Sequence, residues 1–102
     1  MNQEQKHALV ETVENTSPWE RISTTEDGIF LIKTPENNGN VTVFVEINPS
    51  VKGQPLKKRG VFIKNKEEYE IIKELLSNHK IKELLETINE FYCKQEIPKI
   101  EI

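Results

Sequence analysis

A chain of 102 residues has room for one small core, and a hydrophobic content of 35% makes that core lean enough to benefit from a second subunit. Fourteen basic against seventeen acidic residues give a net charge of −3, which excludes a polycationic arm or membrane-surface peptide for the chain as a whole. The single cysteine, Cys93, excludes an internal disulfide and the paired thiolates of a zinc ribbon. With no apolar run near ~20 residues and no secretion-signal core after Met1, the expectation is a reducing, cytoplasmic setting without a membrane partner.

Residues 3 to 14 carry Leu9 and Val13 four apart beside Ala8, which predicts a short helix ending before Ser17-Pro18. Trp19 to Thr24 alternates weakly and reads as a short edge strand that stops at the Glu26-Asp27-Gly28 turn. Gly28 to Lys33 is rich in β-formers, Pro35 to Gly39 in turn formers, and Asn40 to Ile47 alternates cleanly, which together predict a hairpin. Pro49 to Pro55 reads as a loop, and Arg59 to Lys64 as a further strand; Gly28-Ile-Phe-Leu and Gly60-Val-Phe-Ile echo each other faintly. Asn65 followed by Glu68 has the spacing of a capping box, so a helix starts at Lys66 with an apolar stripe through Tyr69, Ile72 and Leu76. Ser77-Asn78 offers a stop and a new cap, and Ile81, Leu84, Leu85, Ile88, Phe91 and Tyr92 form a second stripe.

Six basic residues, Lys52, Lys57, Lys58, Arg59, Lys64 and Lys66, lie between positions 52 and 66 with no acid among them. Such a cluster sets a local positive field over a Debye length of roughly 8 to 10 Å and attracts phosphates despite the negative total; the plainer reading is a solvated loop. If Val41, Val43, Val45 and Ile47 face the core, period two puts Phe44 and Glu46 on the opposite face, and by the same rule Phe30, Phe62 and Lys64 join them. Phenylalanines beside lysines on a sheet face form a stacking platform for unpaired bases, unless the N-terminal helix or a second subunit covers Phe30, Phe44 and Phe62.

Trp19 either stacks on a base or anchors the N-terminal segment, and Tyr92 belongs to the helix stripe. His7 and His79 lack partners at ligand spacing, so no metal is expected, and no cofactor. A single Asp, Asp27, a lone Cys93 beside Lys94, and the absence of a Gly-rich phosphate loop or nucleophile elbow predict a non-enzyme with no catalytic residue.

Gly39 to Ile47, the loop with Lys52-Gly53, the run Lys57-Lys58-Arg59-Gly60-Val61-Phe62-Ile63, and Lys66-Glu67-Glu68-Tyr69 opening a helix follow one another at a telling spacing. Over residues 28 to 76 the chain resembles the positive cofactor four family of single-stranded DNA-binding coactivators. Its order of helix, sheet and helices also resembles the ThermoDBP group of archaeal single-strand-binding proteins. The resemblance implies Lys58, Arg59 and the Gly60 turn as phosphate contacts, and an oligomer. It departs from the first family at the hairpin tip, Asn37 to Asn40, and at Glu46, where that family has basic residues.

The resulting expectation is an α+β fold: an antiparallel three- to four-stranded sheet, a short N-terminal helix, and C-terminal helices packed on one face. One domain would span 1–102, with a helix over 3–14, the sheet over 19–64, helices over 66–94 and an extended tail over 95–102. The expected activity is non-catalytic binding of single-stranded DNA or RNA by a homodimer, using Lys52, Lys57, Lys58, Arg59, Lys64, Phe62, Phe44 and Phe30. The alternative is a protein or peptide interaction module that works through a groove or an exposed sheet edge.

Overall fold

A computed structural model describes residues 1–92, so the expected tail over 95–102 and the reading of Cys93 lie outside the described residues. The fold is α+β, with one N-terminal helix, a four-stranded antiparallel sheet and two C-terminal helices. The chain forms two compact units, Met1–Tyr69 and a second from Glu70 onward, and the boundary falls inside a helix.

In the first unit, α1 spans Gln3–Glu14. The Asn2 side chain accepts the Gln5 N–H at 2.8 Å while the Gln5 side chain accepts the Asn2 N–H at 2.9 Å, a reciprocal cap that satisfies two donors otherwise orphaned. Val13 is the buried residue of this helix, and Leu9, Val10 and Val13 share a cavity of about 500 Å³ with Val41 and Val43.

Strands β1 (Arg21–Ser23), β2 (Ile29–Lys33) and β3 (Val43–Ile47) follow as a meander. The β2–β3 hairpin turns at Asn38-Gly39, whose φ angles of 54° and 79° are both positive, as the twist of a two-residue hairpin turn requires. Between β3 and the last strand, where a plain loop was expected over Pro49 to Pro55, β4 (Ser50–Val51) and β5 (Gln54–Pro55) form a second small hairpin. It turns at Lys52-Gly53 with φ of 52° and 77°, the same mirror-image geometry, which Gly53 adopts without steric cost. Strand β6 (Val61–Ile63) completes the sheet order β1-β2-β3-β6.

The register pairs Ser23 with Phe30, Phe30 with Glu46, Glu46 with Phe62, and Ile32 with both Arg21 and Phe44. One face therefore carries the phenylalanines, and the other carries Ile29, Leu31, Val43, Val45, Ile47, Val61 and Ile63, which is the division that period two predicts. Which face is inner is the reverse of the expectation. Phe30 is 4% exposed and Ile32 is buried on the aromatic face, while Ile29, Val45, Ile47 and Val61 stay 36 to 52% exposed on the aliphatic one. The cause is a polar cover: the Arg21 guanidinium lies 5.2 Å from the Phe30 ring centre, and the chain leading into β6 is hydrogen-bonded down onto the same side.

The echo between Gly28 and Gly60 acquires a meaning here, because both glycines flank the end of β3. A Cβ at Gly60 would overlap the Ile47 carbonyl oxygen, and one at Gly28 would stand 3.2 Å from the Asn48 carbonyl oxygen. At Gly60 the backbone thus approaches more closely than any side chain would permit, whereas at Gly28 the contact is only tight and the φ of 86° is what favours glycine.

The helix α2 (Lys66–Leu76) starts in the first unit. Asn65 caps it by accepting the Glu68 N–H at 2.8 Å, but the returning bond of the expected capping box is shifted by one residue: Glu68 accepts the Lys64 N–H at 3.2 Å. In the second unit, Asn78 accepts the Lys80 N–H at 2.9 Å and opens α3 (His79–Tyr92), so two helices form, broken at Ser77-Asn78. Neither helix buries a residue. The α3 stripe repeats every seven positions, Ile81 with Ile88, Leu84 with Phe91, and Leu85 with Tyr92, which is the spacing of a helix that seeks a helical partner.

Candidate nucleic-acid interface

The basic segment Lys57-Lys58-Arg59 is held by a buried acid. The Glu46 side chain is 0% exposed and accepts from Arg21 Nε at 2.6 Å, Arg21 Nη2 at 3.1 Å, the Gly60 N–H at 2.7 Å and Asn48 Nδ2 at 3.3 Å. Asn48, buried beside it, donates to the Lys57 carbonyl at 2.7 Å and accepts the Lys57 N–H at 3.1 Å, while Arg21 Nη2 also donates to the Lys58 carbonyl at 2.9 Å. The backbone of 57–60 is thereby tied at Lys57, Lys58 and Gly60, and Lys57, Lys58 and Arg59 are exposed.

This arrangement sets the electrostatics. The Arg21 guanidinium, with help from Gly60 and Asn48, holds the Glu46 carboxyl below its ordinary value against the opposing effect of burial. The bond to Glu46 likewise raises the Arg21 value. The ion pair is neutral as a unit, so the field of the loop comes from Lys57, Lys58 and Arg59, none of which forms an ion pair among the described residues.

Phe44 and Phe62 lie side by side, ring centres 5.9 Å apart with 28° between planes, and Lys64 Nζ sits 5.9 Å from the Phe44 ring centre. Both rings are half-buried, so each keeps accessible surface. Phe30 departs from the expectation: it lies beneath Arg21 and has no surface to offer a base. Lys58, Arg59 and Phe62 line one cavity of about 340 Å³ together with Trp19, Glu20, Arg21, Ile32 and Glu46. Lys52 stands instead at the tip of the β4–β5 hairpin, and neither it nor Lys57 and Lys64 lines that cavity.

Sequence reasoning missed Arg21, Glu46 and Asn48 as the frame of this site. The available signal was Glu46 itself, an acid in the middle of an apolar strand, which implies a cation nearby. Among the described residues no group of acidic, His or Cys side chains could hold a metal ion, and no helix is long and apolar enough to cross a membrane. Comparison with known proteins gives no matching family model, no matching curated protein and no matching solved structure.

Proposed function

We propose that the protein is a non-catalytic binder of single-stranded nucleic acid, DNA or RNA, in which Lys57, Lys58 and Arg59 neutralise phosphates while Phe62 and Phe44 stack on bases. The observation that carries this reading is the Glu46–Asn48 lock, which ties the backbone of three exposed cations, two of which, Lys58 and Arg59, line one cavity with Phe62 of the aromatic pair. Single strands are favoured over duplex because stacking needs unpaired bases. Lys64 over Phe44 and Lys52 at its hairpin tip extend the positive track. The active species is a homodimer joined through the helical unit. Nine apolar side chains from Ile71 to Tyr92 are each more than a third exposed; together they offer on the order of 800 Å², about what one side of a standard interface buries.

Fluorescence anisotropy of a labelled 20-mer single strand, with its duplex as control, tests the reading. Expected are preference for the single strand and a loss of about 20-fold in affinity between 50 and 200 mM salt, from roughly three released counterions. Lys58→Glu combined with Arg59→Glu should weaken binding more than tenfold, and an unchanged affinity in that variant would refute the mechanism.

One observation favours a second reading. Ile29, Val45, Ile47, Ile63 and Tyr69 line an open apolar cavity of about 470 Å³ beside the β6 edge, a surface suited to an extended peptide. Salt-insensitive binding of a peptide, with no response to oligonucleotide, would point there.

A further inference from the structure

Trp19 has a backbone conformation that a bulky side chain rarely adopts, with φ of 67°. It is pinned there: its N–H donates to the Lys33 carbonyl at 2.8 Å, and the Glu20 N–H to the Ser17 carbonyl at 3.2 Å. An anchoring tryptophan would be expected to bury its ring, yet Trp19 remains 52% exposed. Strain kept at a half-exposed aromatic is a reason to look for a ligand, and this indole lines the cavity that also holds Phe62, Lys58 and Arg59.

The lining has an ordered chemistry. Trp19 and Phe62 supply aromatic surface, and Lys58 and Arg59 supply unneutralised positive charge. The Arg21–Glu46 pair is internally satisfied and contributes no net charge. Glu20 differs from Glu46 in that its carboxylate makes no hydrogen bond among the described residues, so it is free to accept one. At about 340 Å³ the cavity lies near the low end of the range of ligand pockets, roughly 300 to 1,000 Å³, and is suited to one planar group with its attached anion rather than to a run of residues.

We propose that this cavity is a subsite for a single nucleoside monophosphate unit, its base against Trp19 and Phe62 and its phosphate on Lys58 and Arg59. The proposal deepens the single-strand reading and rests on it for the source of the nucleotide. Glu20 gives the subsite a base preference: guanine offers a carboxylate two adjacent N–H donors, whereas uracil flanks its one N–H with carbonyl oxygens. The unit is either one nucleotide of a bound strand or a free nucleotide, and the two sources are separable by experiment.

Trp19 is the only tryptophan in the chain, so its fluorescence reports on this cavity alone. Titration with 5′-GMP, 5′-UMP and an unlabelled 20-mer, alongside anisotropy of the labelled 20-mer, is the test. Expected are saturable quenching by GMP at least about fivefold tighter than by UMP, and quenching by the 20-mer in step with its anisotropy. Trp19→Gly relaxes the left-handed backbone and so keeps the fold; it should weaken 20-mer binding about tenfold, the order expected for one stacked base. Glu20→Gln should level the GMP and UMP affinities. If anisotropy rises without quenching and Trp19→Gly binds as the parent does, the subsite is refuted while the single-strand reading stands. Quenching by GMP without 20-mer binding would sustain the subsite for free nucleotide and refute the strand reading. No response in either channel refutes both.

Discussion

Five residues of Met1–Tyr69 are buried, and two of them, Glu46 and Asn48, are polar; the helices α2 and α3 bury none, although their sequences are the most strongly amphipathic in the chain. The sheet unit closes on itself by satisfying every hydrogen bond around one carboxylate, a directional arrangement that fixes a loop. The helical unit presents a seven-residue apolar repeat, and none of its described residues is buried. Directional polar contacts can complete a small surface within one chain, whereas an exposed apolar stripe is completed by more apolar surface. A chain with a lean core can therefore divide in two, one part closing around a buried carboxylate and the other leaving an apolar stripe exposed.

The largest expected effect comes from breaking the lock. Glu46→Ala removes the acceptor of Arg21 Nε and of the Gly60 N–H and leaves Arg21 Nη2 and Asn48 Nδ2 only their bonds to the Lys58 and Lys57 carbonyls, and should cost about 3 kcal/mol, the lower end for a buried pair because the Arg21 side chain is 27% exposed. By circular dichroism the melting temperature should fall by roughly 15 °C. A melting temperature unchanged within a degree or two would show that the lock contributes nothing.

Leu85→Lys acts on the other region. Sedimentation velocity at micromolar concentration should show the proposed homodimer for the parent and a monomer for the variant, and the proposed Lys58 and Arg59 surface should still bind an oligonucleotide, with lower apparent affinity. A dimer that survives this change would locate the interface elsewhere.

The smallest effect is the response to acid. The Glu46 carboxyl is held below its ordinary value near 4.5 in the folded chain, so the stability it contributes is complete above that value and declines as pH falls below it towards the lowered one. Glu46→Gln should flatten this part of the stability profile between pH 5 and 3 measured by urea unfolding. An identical profile in the variant would place the acid sensitivity in other groups.

Period two in Val43 to Ile47 and the β-rich run after Gly28 determined the sheet and the membership of each face, because alternation is a local property of a pleated strand. Asn65, Ser77 and Asn78 determined where helices begin and end, because capping involves groups only a few residues apart. The basic cluster was likewise legible as a run of charge. What local pattern could not supply was which face is inner. That depends on Arg21 meeting Glu46 across 25 positions, and on Gly60 approaching the Ile47 carbonyl closely enough for its N–H to reach the same carboxylate. Only the tertiary structure decided that Phe30 lies under a guanidinium, that Trp19 stands half-exposed beside Arg59, and that an acid in the middle of a strand holds a basic loop in place. Each of these is a long-range, three-dimensional coincidence of charge and shape; an acid in an apolar strand signals that a cation is near, but the spacing of residues along the chain does not say which one.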